Sequence, residues 1–419
     1  MIITFISLVI WLIYLVSLFY AVFWLLVFLE KGLGVESKNN ISSYPNVSIA
    51  IPAYNEENTI LKTLTSVINL NYPKNKMEIF VINDGSIDDT ERIVKNFIDN
   101  NKNLNVNLIN QENCGKGAAL NVALKNAKGD LFICLDADSV VDRNALMDII
   151  PEFVDEDVGA VLPMMRVNNP KRLIEKLQWF EYLLSFFYRR LTGQLNCIHV
   201  TPGPFGSYRR KVLLDLGGFD TNNLTEDLEI ALRLQKNNYK IVQSTSSFVH
   251  TVAPATFVSF YKQRRRWYKG ILFNLLFKHR DFLFNKKYGD LGMIQLPVIV
   301  LSGFLTLLLS FILLQNAIVP FFSRIISLSS IHFDYGFLFR EFINNFTFLD
   351  ISLMNLVLFG TLFSLAVFVF FLSHKYTKEK PLKFGIFTLI PYIIIYPLML
   401  YLVWVGVFFE LLFGINGRW

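Results

Sequence analysis

Four uncharged stretches decide what kind of molecule this chain can be. Residues 1–29, 291–323, 351–373 and 384–409 contain no Asp, Glu, Lys, Arg or His. Each is longer than the roughly 20 residues a helix needs to cross the hydrocarbon layer of a bilayer. They account for a composition of 53% hydrophobic residues in 419, too apolar for an ordinary soluble enzyme. The first stretch lacks the basic start of a cleaved leader and its apolar run is too long for one, so it reads as an anchor that is kept.

The charges between these stretches set an orientation. Lys31 and Lys38 follow the first; Lys278, Arg280, Lys286 and Lys287 precede the second; HKYTKEKPLK joins the third to the fourth. The link between the second and third is poor in Lys and Arg. Cytoplasmic links carry the basic excess. The expectation is a multi-pass plasma-membrane protein with a large cytoplasmic domain, and with the amino terminus and GINGRW outside. Residues 1–30 then form a transmembrane helix, 31–253 the cytoplasmic domain, 254–290 an interfacial segment and 291–419 a membrane domain of three helices. The Asn345-Phe346-Thr347 sequon falls on the outer link. Much of the net charge of +6 lies beside the membrane, where anionic lipid rewards it, so it does not imply nucleic acid. Cys114, Cys134 and Cys197 are odd in number, lack metal-like spacing and suit a reduced compartment.

The polar region alternates strand and helix. VSIAIPA (from Val47), MEIFVINDGS (from Met77), NVNLINQ and DLFICLDADS read as strands. EENTILKTLTSVINL, DDTERIVKNFIDN and GAALNVALKNAKG read as helices between them, the last closed by Gly129. This is the pattern of an α/β fold with a doubly wound, mostly parallel sheet. Ligands bind such sheets at the carboxyl ends of the strands, where the chain places Asp84, Asp136 and Asp138.

Two carboxylates at spacing two, Asp136 and Asp138, point to one side of an extended chain and repel unless a cation lies between them. Mg²⁺ or Mn²⁺ carrying a diphosphate satisfies them; a turn-capping aspartate is the plainer reading. Asp84, in NDGS, reads as a nucleotide contact or a simple turn. Lys116, between Gly115 and Gly117 before a helix, reads as an anion contact or a solvated lysine. Thr225-Glu226-Asp227 opens the helix TEDLEIALRLQKNN, with Thr225 as its N-cap; the acids suit a helix start, or supply a general base. Gly203 to Gly206 form a tight turn that presents the Phe205 ring. KRLIEKLQWFEYLLSFFYRR (171–190) is too charged to span and reads as an interfacial helix. In YKQRRRWYKG (261–270), Gln263, Arg266 and Trp267 share one helix face, suited to phosphate and a sugar ring. Arg264 and Arg265 point elsewhere, toward lipid headgroups.

Taken in order, IPAYNEE, NDGS, DAD, TED and QRRRW resemble the membrane-embedded family-2 glycosyltransferases, which include the cellulose, chitin, chitooligosaccharide and hyaluronan synthases. The resemblance covers residues 47–270, and QxxRW marks the processive members. It implies a GT-A fold and an inverting transfer from a UDP-sugar to a glycan or lipid-linked acceptor. By that likeness Tyr54, Glu56 and Asp84 hold the nucleotide base, and Lys116 matches a basic position of related loops that contacts the nucleotide-sugar. Asp136 and Asp138 serve the metal-bound diphosphate, Asp138 as the direct ligand, and Arg266 holds the diphosphate. Asp227 is the general base. Glu226, Gln263, Trp267 and the Gly203 to Phe205 loop face the acceptor. One helix before the domain and three after it resemble the chitooligosaccharide synthases more than the larger polymer synthases. Export of a long chain then calls for the interfacial helices, a homo-oligomer or an accessory subunit to complete a pore. The alternative is a non-processive transferase that adds one sugar to a lipid carrier.

Overall fold

The strand at Val47–Ala53 (β1) sends Val47, Ile49 and Ile51 to one side and Ala50 to the other, all fully buried. Its neighbours repeat the alternation. In Met77–Asp84 (β2), Ile79 and Val81 oppose Phe80 and Ile82; in Leu131–Cys134 (β4), Leu131 and Ile133 oppose Phe132 and Cys134. A strand buried on both faces needs a hydrophobic layer on each side. Helices Ile60–Ile68 (α2), Thr90–Asn100 (α3) and Ala145–Ile149 (α5) supply the first. Helices Lys116–Asn126 (α4), Arg210–Asp215 (α7) and Glu226–Lys236 (α8) supply the second. The computed structural model describes residues 5–34, 43–313 and 353–413, with positions 315, 319, 320, 322, 323, 326 and 336. The sequon and GINGRW lie outside the described residues.

The sheet is completed by Val106–Gln111 (β3), Val140–Val141 (β5), Val158–Val167 (β6), Gly206–Arg209 (β7) and Lys240–Thr251 (β8). The strand order is β3-β2-β1-β4-β7-β6-β8-β5. β1 to β4 run parallel, as the sequence predicts; β7 runs antiparallel between β4 and β6. This reversal turns the chain just after the Gly203 loop and sets that loop beside the end of β4. The helix read as ending at Gly129 instead ends at Asn126. Gly129 is a close-approach residue: a Cβ there would lie 2.6 Å from the Ser48 amide nitrogen.

Among the described residues are five further long helices: Phe5–Lys31 (α1), Leu173–Gly193 (α6), Phe257–Phe273 (α9), Leu296–Leu313 (α10) and Leu353–Thr377 (α11). A last one, Ile386–Leu412 (α12), contains Pro391 and Pro397. Among the described residues four helices, one amino-terminal and three carboxyl-terminal, are long and apolar enough to cross a membrane. α6 lies between the sheet and these helices. Its Trp179, Phe180 and Phe186 pack with Met164 and Val167 of β6 on one side, and with Phe370 and Tyr392 of α11 and α12 on the other.

Three helix ends meet the sheet domain on one side. Leu33, just past α1, accepts from Gln194 at 3.1 Å. Leu291 and Leu296 pack with Leu228 and Leu232 of α8. Thr377, at the end of α11, accepts from Arg166 of β6 at 3.3 Å. α12 starts on that side as well, with Phe384 and Trp179 ring centroids 5.0 Å apart. Simple alternation carries its far end away from the domain. Instead Trp404 stacks on Tyr268 of α9 at 4.4 Å, and Glu410 pairs with Lys269 at 3.3 Å and with Arg265. α12 therefore bears on the domain side at both ends.

Candidate active site

The loop after β4 carries Asp136 and Asp138, and the first turn of α8 carries Glu226 and Asp227. Lys116, first residue of α4, joins the two acid pairs. Its ammonium lies 2.5 Å from Asp136 and 3.4 Å from Glu226. Burial works against this charge, but Asp136 and Glu226 outweigh it and the lysine pKa is raised. Gly203 makes the closure feasible: a Cβ there would collide with the Lys116 ammonium and lie 2.9 Å from Asp136.

The acids outnumber the cations here, and their ionisation shows it. Burial, then Asp136 and Glu56, pushes Asp138 up to about 7. Burial also raises Glu56, which Thr59 hydrogen-bonds. Burial and Glu226 push Asp227 up to about 6, while Lys116 and Arg266 hold it down. The Asp227 backbone is fixed from outside its helix: Thr201 donates to its carbonyl through both the amide (3.3 Å) and the hydroxyl (2.7 Å). Tyr208 supports that hydroxyl at 2.9 Å. Thr225 stands at the N-cap position but makes no cap hydrogen bond; its hydroxyl instead accepts from Asn274 at 3.2 Å.

Asp84 ends β2 and is buried. It accepts from Gln111 at 2.6 Å and from the amides of Cys114 and Gly115, both at 2.9 Å. It thus holds the loop that presents Lys116. Tyr54, half-exposed, and Glu56 follow β1 on the same sheet edge. Phe205 departs from expectation. Its ring is fully buried in the sheet core and its φ is +61°, so the ring does not face an acceptor.

The QRRRW helix, α9, is also built differently from expectation. Arg264 does not reach for lipid: it is fully buried, ion-pairs with Glu181 of α6 and bonds Gln263. Its guanidinium lies over the Trp267 ring at 4.1 Å, which fixes the indole. Arg265 pairs with Glu410 of α12 rather than with headgroups. Arg266 lies close enough to Asp227 to bias its ionisation. Glu181 and Glu410 are partners that the sequence reading missed. Their one signal is that each is a lone acid at or near an apolar run.

Among the described residues, no group of three or more His, Cys, Asp or Glu is arranged as a metal site. Asp136 and Asp138 are two carboxylates in a region of excess negative charge. That suits a divalent cation whose remaining ligands come from a phosphorylated substrate and water.

The described residues thus combine a mostly parallel α/β sheet, with acids at its strand ends, and long apolar helices. Residues 48–217 match the model of glycosyl transferase family 2. Over 236 residues it is 35% identical to the poly-beta-1,6-N-acetyl-D-glucosamine synthase of Staphylococcus aureus strain MSSA476, covering 55% of this chain and 56% of that protein. The synthase of the same name from Staphylococcus epidermidis is 33% identical over 236 residues, covering 56% of each. The chain thus matches little more than half the length of these curated relatives. A mannosyltransferase from Pyrobaculum calidifontis, solved with GDP-mannose and Mn²⁺, shares the fold. Its TM-score is 0.61 at 20% identity, covering 77% of this chain and 89% of that one.

Proposed function

We propose that this chain is an inverting membrane glycosyltransferase that moves a sugar from a UDP-sugar to the hydroxyl end of a growing glycan. The observation that carries this reading is the placement of Asp227, a half-buried carboxylate with its pKa raised to about 6, among Lys116, Glu226 and Arg266. A carboxylate of that basicity suits removal of a proton from an attacking hydroxyl near neutral pH. The proposed transfer is a single displacement. The acceptor oxygen forms the new glycosidic bond as the bond from the anomeric carbon to the diphosphate breaks. The proton passes to Asp227 and the electron pair leaves with UDP.

Arg266 and Lys116 supply fixed positive charge toward the departing diphosphate. Asp136 and Asp138 are the residues that would hold Mg²⁺ or Mn²⁺, which when bound neutralises that diphosphate further. Tyr54, Glu56 and Asp84 line the nucleotide end. Gln263, Trp267 and Glu226 face the acceptor. In this reading residues 31–253 form the transferase unit and 254–290 carry the acceptor-side helix. The basic links and the helix ends gathered at the domain support a cytoplasmic catalytic face. The matched synthases point to N-acetylglucosamine as the sugar.

The test is a radiolabelled donor screen on membranes with Mg²⁺ or Mn²⁺, sizing the product and repeating it with Asp227→Asn. A metal-dependent oligosaccharide or polymer, lost in the variant, supports the proposal. A single sugar on an extractable lipid, or turnover unchanged in Asp227→Asn, overturns it.

A further inference from the structure

We propose that Asn274 is a positioning residue: it clamps the first turn of α8, and with it Asp227, to the face of α9 that carries Arg266. This rests on the transfer reading above and names what holds its base in place.

Arg266, Gly270 and Asn274 follow one another at the i+4 spacing that keeps side chains on one side of a helix. Gly270 is the point of closest approach. A Cβ there would lie 2.4 Å from both Cγ2 and Oγ1 of Thr225, so glycine is what lets α9 come this near to α8. Thr225 stands immediately before α8 and two residues before Asp227. Arg266 lies one turn before the contact on α9. The two helices thus bring both side chains to one junction, in keeping with the effect of Arg266 on the Asp227 carboxyl.

Asn274 closes that junction and is fully buried in it. Its side-chain nitrogen donates to the Gly270 carbonyl at 2.9 Å, to the Asn223 side-chain oxygen at 3.0 Å and to the Thr225 hydroxyl at 3.2 Å. Asn223 donates back to it at 2.9 Å, and the same Asn223 oxygen accepts from the Thr225 amide at 3.1 Å. A threonine before a helix ordinarily caps it through its own hydroxyl. Here Asn274 occupies that hydroxyl, so the start of α8 is fixed by α9 rather than by itself.

A second tie lies on the other side of Asp227. From Asn274 the chain widens into one π-helical turn, Asn274–Lys278, of a kind frequent at functional sites. Lys278 then reaches Glu229 at 2.7 Å, and His279 reaches it at 3.3 Å. Glu229 is fully buried and two residues after Asp227. Thr225 and Glu229 flank the base, and the segment that follows QRRRW holds both. Asn274 is the uncharged member of this clamp. Its removal therefore changes geometry without removing a charge from the site.

The experiment uses the full chain in detergent or nanodiscs and measures kcat and donor KM against pH, together with Tm. Asn274→Leu keeps the side-chain outline and removes all of its hydrogen bonds; Thr225→Val removes one. Asn274→Leu is expected to lower kcat about tenfold, the scale of a small misplacement of reacting groups, with a smaller change in the KM of the UDP-sugar. The acid inflection of kcat should move to higher pH, because Arg266 holds the Asp227 pKa down and would be less well placed to do so. Thr225→Val should shift both quantities the same way by less, and it decides the matter where Asn274→Leu does not fold. An unmoved inflection in a folded variant, or a loss confined to Tm or to donor KM, would overturn the clamp. If Asp227→Asn is inactive in the same assay, that failure belongs to the clamp alone. If Asp227→Asn keeps full turnover, the transfer reading falls and the clamp with it.

Discussion

In the proposed transfer Asp227 acts as a base only when ionised, and its environment sets the pH at which that holds. Burial and Glu226 raise it to about 6; Lys116 and Arg266 oppose them. The transfer rate is therefore expected to fall below pH 6, by about tenfold per pH unit, as the carboxylate takes up a proton. Lys116→Met removes a cation that holds the pKa down, so the inflection should move to higher pH as well as the rate falling. A pH profile of kcat checks both. An unmoved inflection in Lys116→Met would separate the two groups electrostatically. Asp84 is a different case. All three of its hydrogen bonds serve the loop before α4, so its first contribution is to place Lys116. A carboxylate has about four acceptor positions, which leaves one for a nucleotide.

The cations of α9 are distributed among its neighbours, and this makes the helix a fixed wall rather than a membrane paddle. Arg264 locks to α6 through Glu181 and clamps Trp267. Arg265 and Lys269 lock to α12 through Glu410. Removing one partner of an enclosed pair leaves the other charge unmatched, which costs roughly 3–5 kcal/mol when fully buried and less here, since Arg265 is about one-third exposed. Arg265→Glu, facing Glu410, should therefore lower both Tm and activity. The double variant Arg265→Glu with Glu410→Arg should recover much of each. Recovery confined to Tm would mean that α12 stabilises the fold without positioning the acceptor side. Helical periodicity made α9 legible as a helix and placed Gln263, Arg266 and Trp267 together. It could not assign partners to Arg264 and Arg265, because those partners lie 83 residues before Arg264 and at the far end of the chain.

At the scale of the whole molecule, the sheet domain and the apolar helices meet on one face, and the site opens beside that face. Cys114 is exposed beside Asp84, to which its amide donates, and serves as a native reporter of the side that carries the strand-end acids. A second cysteine introduced as Lys380→Cys, in the link before α12, should be labelled by an impermeant thiol reagent from that same side. Labelling of the two from opposite sides, read by peptide mass analysis of oriented vesicles, would contradict the arrangement. The sequence by itself determined the membrane association, since length and absence of charge are enough to require a bilayer. It also determined the parallel half of the sheet, because β1, β2 and β4 each carry a short apolar run that ends at an acid or a proline. Local spacing placed Asp136 and Asp138 at a strand end, whereas Asp227 stood out only through the resemblance, and it is the fold that brings it near Lys116 and Arg266. Tertiary structure alone decided the antiparallel β7, the burial of Phe205 and the return of α12 against α9. A strand's direction and a helix's far contacts depend on which surfaces remain uncovered once everything else has packed, and no local window of residues carries that information.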